Sequence, residues 1–211
     1  MPGHGHSHGA GCAHEHDSHD EAELGVQYSL YQKINMDSLV VYNESVAGAG
    51  RLVFKPWDQR LNRDQFVESD LDADLLFQIA FCGSVKLKGV LVLGGEADMH
   101  PARMRLFANA PQLTLGDCDD AQATQEFEMA RQSADAVDYT VRPSKFGSLA
   151  SLAIHFPTNF GADTTRIYYI GLRGEFTAVN RDQVLIATYE ARPMPQDHKG
   201  EIPDAARHDV F

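Results

Sequence analysis

The side chains best suited to metal chemistry lie at the start of the chain. Residues 1–23 hold six of the ten histidines and five acidic residues, but no Lys or Arg. Imidazole and thiolate groups are good ligands for zinc, copper and nickel. The segment lacks the CxxC or CxxH pair of a closed zinc site, so the alternative is a solvated tail with incidental metal affinity. The candidate ligands are Pro2, Gly3, His4, His6, His8 and Cys12.

The first three of these residues form a distinct motif for copper or nickel. Met1 is usually removed before a residue as small as Pro2, and the chain then begins Pro2-Gly3-His4. The terminal amine, two backbone amides and the His4 imidazole supply four nitrogens in a square plane, which suits Cu(II) or Ni(II). We expect the other candidate ligands to hold further ions more loosely, with zinc among them.

Three carboxylates stand at every second position, as at the start of a calcium loop: Asp70, Asp72 and Asp74. Such a loop also needs Gly at its sixth position and Glu at its twelfth. Counted from Asp70, those positions are Leu75 and Phe81, so an EF-hand is excluded. We therefore expect the carboxylates to face water in a turn before a strand.

The motifs of common enzymes are absent from the sequence. GAGRLV (48–53) lacks the third glycine of a dinucleotide fingerprint, and GxSxG, GxxxxGK[ST] and HExxH do not occur. His155 has the apolar neighbours of a half-buried, hydrogen-bonded histidine, and Cys82 follows an apolar run as a small core residue. An enzyme needs a nucleophile or metal beside an oriented acid or base. We therefore expect no enzymatic activity and no required cofactor.

Two basic pairs stand out against the acidic background of the chain. Lys86 and Lys88 lie two residues apart in one predicted strand, and Arg103 and Arg105 do the same in the next. Each pair faces one side of its strand, and consecutive strands are often neighbours. We expect one basic patch that steers the chain to an acidic partner surface. The alternative is an ordinary solvated outer face.

The last residue of the chain is a further candidate for a partner contact. Phe211 ends a charged stretch, HDVF, that offers little else to bury. An aromatic side chain on such a segment is suited to a partner pocket. The alternative is an unused, frayed end.

The elements that must position these groups are strands. Segments rich in β-branched and aromatic residues, bounded by Gly, Pro or Asp, lie at 74–81, 84–95, 102–110, 148–157, 165–175 and 182–191. Weaker candidates lie at 38–44, 64–69, 125–130 and 137–141. Residues 30–34 favour one or two helical turns, and 116–125 an exposed acidic loop. Many short strands without long intervening helices predict an antiparallel β-sandwich rather than βαβ units.

The composition indicates where the folded domain begins and ends, and which partners and cellular locations suit the chain. A chain of 211 residues with 43% hydrophobic content suits one domain. We place it at 24–191, between a disordered tail at 1–23 and an extended tail at 192–211, since neither tail has much to bury. The net charge of −12 disfavours nucleic acid and anionic membranes, and no apolar run suits a membrane span or signal peptide. Three cysteines without a CxxC pair favour a cytoplasmic or nuclear location.

Six segments carry a resemblance to a known family. They are VFKPW (53–57), FVESD (66–70), LLF (75–77), VKLKG (85–89), NFGADTT (159–165) and YYIGLRGE (168–175). Together they resemble the PITH domain, the proteasome-interacting domain that is also found C-terminal to thioredoxin. The HGHSHG opening and the missing thioredoxin CxxC make the chain similar to stand-alone members of this family. The resemblance covers about residues 24–191, and Leu71 and Ala80 depart from the family pattern only locally.

The resemblance implies a fold, a function and a location. The fold is a jelly-roll β-sandwich similar to galactose-binding-like domains. The function is a monomeric, non-enzymatic interaction module, cytoplasmic and nuclear, that associates with the 26S proteasome regulatory particle. Two alternatives stay open: a sugar-binding sandwich, and Cu, Ni or Zn binding through the His-rich tail. A sugar site needs an exposed aromatic platform, whereas we expect Trp57, the only Trp, to anchor its loop on the sandwich.

Overall fold

Eight strands form the body of the protein in the computed structural model, which describes residues 29–131 and 134–178. They are β1 (Val40–Tyr42), β2 (Val67–Glu68), β3 (Leu75–Gly94), β4 (Arg103–Ala108), β5 (Gln125–Glu128), β6 (Val137–Thr140), β7 (Leu149–Phe156) and β8 (Arg166–Thr177). Short 3-10 helices lie at Tyr31–Lys33, Met36–Ser38, Ala49–Arg51, Trp57–Gln59, Ala97–Met99 and Leu115–Asp117. The strand pairings are antiparallel.

The long strand β3 belongs to both layers of the sandwich. Its first half pairs with β1 and β7, and its second half pairs with β6 and β8. The register with β7 shifts between Ala80 and Val85, where β3 passes from one layer to the other. The first layer has the order β1-β3-β7-β4-β5, and the second has the order β6-β3-β8-β2.

The crossover of β3 corrects two expectations. The sequence predicts separate strands at 74–81 and 84–95, but one continuous strand replaces them because Ser84 remains paired with Thr177 of β8. Cys82 is exposed at this crossover, so the prediction that it is a core residue is wrong. An apolar run in the sequence indicates buried side chains only where other elements cover both faces of the strand.

The core lies between the two layers and follows the alternation of side chains along the strands. Leu75, Phe77 and Ile79 of β3 are at most 1% exposed. They share one apolar cluster with Ile170 and Leu172 of the second layer. Full burial of such a side chain contributes about 1.5–3 kcal/mol, so this cluster is the main source of stability.

Smaller apolar clusters cover part of the outer face of each layer. The first contains Leu76, Phe107, Cys118 and Ala153, and the second contains Leu91, Leu93, Tyr168 and Tyr169. The prediction of an exposed loop at 116–125 is therefore wrong at Cys118, which is fully buried. The loop folds back over the first layer because Leu113 and Leu115 also pack against this cluster.

The remaining predictions of secondary structure are confirmed wherever the structure describes them. The weaker strand candidates contain β1, β2, β5 and β6, and the helical turns expected at 30–34 are the 3-10 helix Tyr31–Lys33. The predicted strand at 182–191 and the tails at 1–23 and 192–211 lie outside the described residues. No helix in the described part of the chain has the length and apolar character needed to cross a membrane.

Candidate functional site

The two basic pairs, Lys86 with Lys88 and Arg103 with Arg105, lie far apart. Arg105 sits opposite the end of β7, and that end of β7 pairs with Leu76 near the start of β3. Lys86 lies ten residues further along β3, which is roughly 30 Å of extended strand. The expectation that these four side chains form one patch is therefore wrong, because β7 separates β3 from β4.

The arginine pair has a structural task. Both arginines form ion pairs with glutamates of β5, at 3.1 Å for Arg103 and 3.0 Å for Arg105. Arg105 also donates hydrogen bonds to the backbone carbonyls of Cys118 (2.6 Å) and Ala121 (2.8 Å). Its guanidinium therefore fastens the loop between β4 and β5 over the first layer.

The lysine pair remains on the surface of the second layer. Lys86 and Lys88 share Glu175 of β8, with nitrogen–oxygen distances of 3.8 and 2.6 Å. The hydrogen bond from Lys88 and the positive charge of both lysines lower the pKa of Glu175. About half of the Lys86 side chain is exposed (48%), so its ammonium group is accessible to a partner.

Four loops meet at one end of the sandwich, which we call the loop end: residues 43–48, 69–74, 95–102 and 157–165. Backbone hydrogen bonds join each loop to the next. Asp70 N–H donates to Asn43 O (2.9 Å), Ser69 N–H to Thr165 O (2.9 Å), and Phe160 N–H to Asp98 O (3.1 Å). Such bonds hold the loops against one another, whereas unsupported surface loops move freely.

Asn43 shapes the acidic loop at 69–74. Its backbone is left-handed, with φ of 64°, a conformation that Asn tolerates better than most residues. Its side chain donates to Asp72 Oδ1 (2.8 Å) and Asp74 O (2.7 Å), and accepts from Leu71 N–H (3.2 Å). Asp70 and Asp72 are exposed, as the sequence predicts, but Asp74 is half-buried and its carboxylate bonds to His155 instead of facing water.

Thr165 and the adjoining residues of β2 and β8 brace the same loops. Thr165 is fully buried; its N–H donates to Ser69 Oγ (2.8 Å) and its hydroxyl to Ala73 O (2.6 Å). Arg166 pairs with Glu68 at 2.6 Å. Burial alone would raise the pKa of Glu68, but hydrogen bonds from Arg166 and Thr164 and the positive charge of Arg166 outweigh it and lower that pKa. Glu68 is therefore a charged structural anchor.

His155 and Cys118 form no catalytic arrangement. His155 is fully buried rather than half-buried as expected, since the loops cover the outer face of β7; its Nε2 lies 2.6 Å from Asp74 Oδ1. Cys118 donates to Thr114 O (3.3 Å), and burial raises the pKa of its thiol to about 11. Such a thiol is no nucleophile at neutral pH. The described residues contain no cluster of three or more His, Cys, Asp or Glu suited to a metal.

Trp57 anchors its loop on the second layer, as predicted. Its ring packs against the cluster around Leu91 and Tyr168, and the Arg60 guanidinium lies 4.3 Å from the ring centroid. A ring engaged in this way is a poor stacking platform for a sugar. A shallow cleft of about 220 Å³ beside it is smaller than the roughly 300 Å³ of typical ligand pockets. The cleft is lined by Ser29, Tyr31, Gln32, Pro56, Trp57 and Asp58.

The same loop is built around a buried lysine that the sequence reasoning missed. Lys55 is 4% exposed, and its ammonium donates to Asn62 O (2.7 Å) and Gln65 O (3.1 Å). Burial lowers the pKa of Lys55, and the charge of Asp64 opposes this shift. Lysine is rarely buried. The available signal was a single Lys inside the otherwise apolar run VFKPW.

The remaining candidate residues have no described position. The candidate metal ligands and the candidate partner contact at the chain end lie outside the described residues. They are Pro2, Gly3, His4, His6, His8, Cys12 and Phe211.

The two-layer fold places the chain among galactose-binding-like β-sandwiches. It is similar to a structure of the CBM32-1 and CBM32-2 domains of Clostridium perfringens ZmpB in complex with GalNAc, with a TM-score of 0.56. The match covers 74% of this chain and 38% of that chain, at 10% identity. At this identity the similarity concerns the fold alone. The predicted jelly-roll β-sandwich is confirmed.

Within this fold class, the chain belongs to the PITH domain family, whose model matches residues 20–193. It is 46% identical over 199 residues to PITH domain-containing protein 1 of Homo sapiens, covering 93% of each chain. Identity to the protein of that name from Danio rerio is 48% over 183 residues, or 87% of each chain. The family predicted from the six segments is confirmed.

Proposed function

We propose that the chain is a non-enzymatic interaction module that associates with the regulatory particle of the 26S proteasome. The observation that carries this proposal is membership of the PITH family, named for interaction with the proteasome. The family match spans residues 20–193 and therefore the whole described sandwich. We accordingly assign the interaction to the folded body rather than to the tails.

Side chains that hold the loops in place support the role of a rigid docking module. Lys55 holds its own loop, while Glu68, Thr165 and Arg166 brace the loop end. These side chains are engaged in internal bonds and so serve to fix the shape of the surface. A surface that is ordered before binding loses less conformational entropy in the complex.

The polar groups of the described residues favour binding over catalysis. The buried Cys118 thiol has a raised pKa, and the His155 imidazole is bonded to Asp74 beneath the loops. Catalysis needs such groups to reach a substrate. Because both groups are buried, they cannot reach a substrate, and their role is to stabilise the fold.

Affinity purification of the intact chain from cells, followed by mass spectrometry, tests the proposal. We expect regulatory-particle subunits in excess over core-particle subunits, since the core is captured only through the regulatory particle. A chain that lacks residues 1–23 should retain the association, because the family segments lie between Val53 and Glu175. Absence of regulatory-particle subunits from the intact-chain sample would contradict the proposal. Loss on deletion alone would place the contact in the His-rich tail.

A further inference from the structure

The turn after β6 is joined to the basic half of β3. Val141 N–H, at the start of this turn, donates to Lys88 O at 3.1 Å. Leu87 N–H of β3 donates to Phe146 O, at the end of the turn, at 3.0 Å. Both ends of the turn therefore lie beside the strand segment that carries the lysine pair.

The same turn is also fixed to the other layer. Arg142 N–H donates to Gln125 Oε1 at 2.9 Å, and Lys145 Nζ donates to Thr124 O at 2.9 Å. Within the turn, Lys145 N–H donates to Arg142 O at 3.0 Å. The exposed side chains of the turn are consequently presented from a braced backbone.

Four cationic residues lie on this part of β3 and on the turn that borders it, and we call them together the basic turn surface. Within the described residues, neither Arg142 nor Lys145 forms an ion pair with a carboxylate. Both lysines pair with Glu175. These residues therefore form a group of cations on a chain whose net charge is −12. The surface consists of Lys86, Lys88, Arg142 and Lys145.

We propose that the basic turn surface binds an acidic segment of a partner protein. The inference rests on the proposed function, because it names the surface through which the module meets its partner. Long-range effects of exposed charges are screened over about 8 Å at physiological ionic strength. The cations must therefore lie at the contact, where they raise the association rate and select an acidic partner.

An acidic protein segment fits this surface better than a nucleic acid does. A nucleic acid is a long polyanion, and it would be repelled by the acidic remainder of the chain. A short run of Glu or Asp can pair with these cations and brings less negative charge near the acidic remainder of the chain than a nucleic acid does. Charge complementarity thus favours a protein partner.

Fluorescence anisotropy with a labelled peptide of about ten glutamates tests this proposal on the full chain. The test variant combines Lys86→Gln, Lys88→Gln, Arg142→Gln and Lys145→Gln. A matched control removes the same charge from exposed cations elsewhere, by Arg51→Gln, Arg63→Gln, Arg103→Gln and Arg131→Gln. We expect the test variant to lose about tenfold in affinity, as removal of several charge pairs implies, and the control less than about threefold. Circular dichroism checks that both variants are folded.

The outcomes separate this proposal from the proposed function. If the two variants bind the peptide with equal affinity, the proposal that the basic turn surface binds an acidic segment is wrong. It is also wrong if the wild-type chain binds single-stranded RNA more tightly than it binds the peptide. Both variants are then tested with purified regulatory particle. If the wild-type chain and the test variant associate equally fast, the surface proposal is wrong and the proposed function stands. If the test variant loses affinity for the peptide as expected but the wild-type chain does not associate with the regulatory particle, the proposed function is wrong and the surface assignment stands.

Discussion

The imidazole of His100 occupies the space that a side chain at Gly94 would need. A Cβ atom at Gly94 would lie far inside van der Waals contact distance of His100 Nδ1. The imidazole is 2% exposed and is stacked on Phe160, with 6.1 Å between ring centroids. It cannot turn aside without breaking that stack. The loop at 95–102 therefore packs against the end of β3, because the His100 imidazole fills the space beside Gly94.

This contact predicts a strong coupling between Gly94 and His100. Gly94→Ala should lower the free energy of unfolding by about 1–3 kcal/mol, because the added methyl group overpacks the site. In a His100→Ala background the same change should cost less, since the methyl group enters the vacated space. Urea denaturation of the four proteins measures the coupling. Strictly additive effects would contradict the steric explanation.

The stability of the chain should also fall in mild acid through His100. Burial lowers the pKa of His100 below its ordinary value of 6.5, although a backbone hydrogen bond with Ala130 acts in the opposite direction. The unfolded chain therefore takes up a proton near pH 6.5 while the folded chain still resists it, and stability falls as pH drops below that value. Unfolding free energies at about pH 7.5 and about pH 5.5 measure the fall. His100→Gln should reduce it, and an equal fall in both proteins would refute the assignment.

Two substitutions at Asn43 separate its backbone role from its side-chain role. Asn43→Gly removes the three side-chain hydrogen bonds but accepts the φ of 64°. Asn43→Ala removes the same bonds and adds about 1–2 kcal/mol of backbone strain. We expect the order of thermal stability to be wild type, then Gly, then Ala, with faster amide exchange at 69–74 in both variants. An Ala variant as stable as the Gly variant would exclude the backbone contribution.

Lys55 should stabilise the chain although it is a buried cation. Lys55→Met keeps most of the apolar part of the side chain but leaves the carbonyls of Asn62 and Gln65 without their donor. Each hydrogen bond that a charged group forms contributes about 1.5–3 kcal/mol. Exposed Lys86→Met is the control, and it should change stability by less than about 0.5 kcal/mol. Equal unfolding free energies for the two variants would show that the Lys55 bonds contribute nothing.

The positions of most strands could be predicted because alternation and turn residues are local signals. The segments 102–110 and 148–157 contain β4 and β7. The continuity of β3 could not be predicted, because Gly83 and Ser84 are typical of a turn. Pairing of Ser84 with Thr177, distant in sequence, keeps that stretch extended.

The grouping of basic residues on the surface is harder to predict than the strands, because it depends on which strands become neighbours. The sequence predicts one basic patch of Lys86, Lys88, Arg103 and Arg105 because consecutive strands are often neighbours. In the sandwich, the lysines instead adjoin the turn that carries Arg142 and Lys145, and β7 separates them from β4. Long-range pairing is decided by the packing of the whole core.

Titration of purified 26S regulatory particle with the labelled, purified full-length chain tests the central claim most directly. We predict saturable binding that weakens with added salt, and no saturable binding to the isolated 20S core particle. Full occupancy should approach a fixed number of chains per particle, because a specific site is finite. Failure to saturate on the regulatory particle, or equal binding to both particles, would contradict the assignment of this chain as a proteasome-associated module.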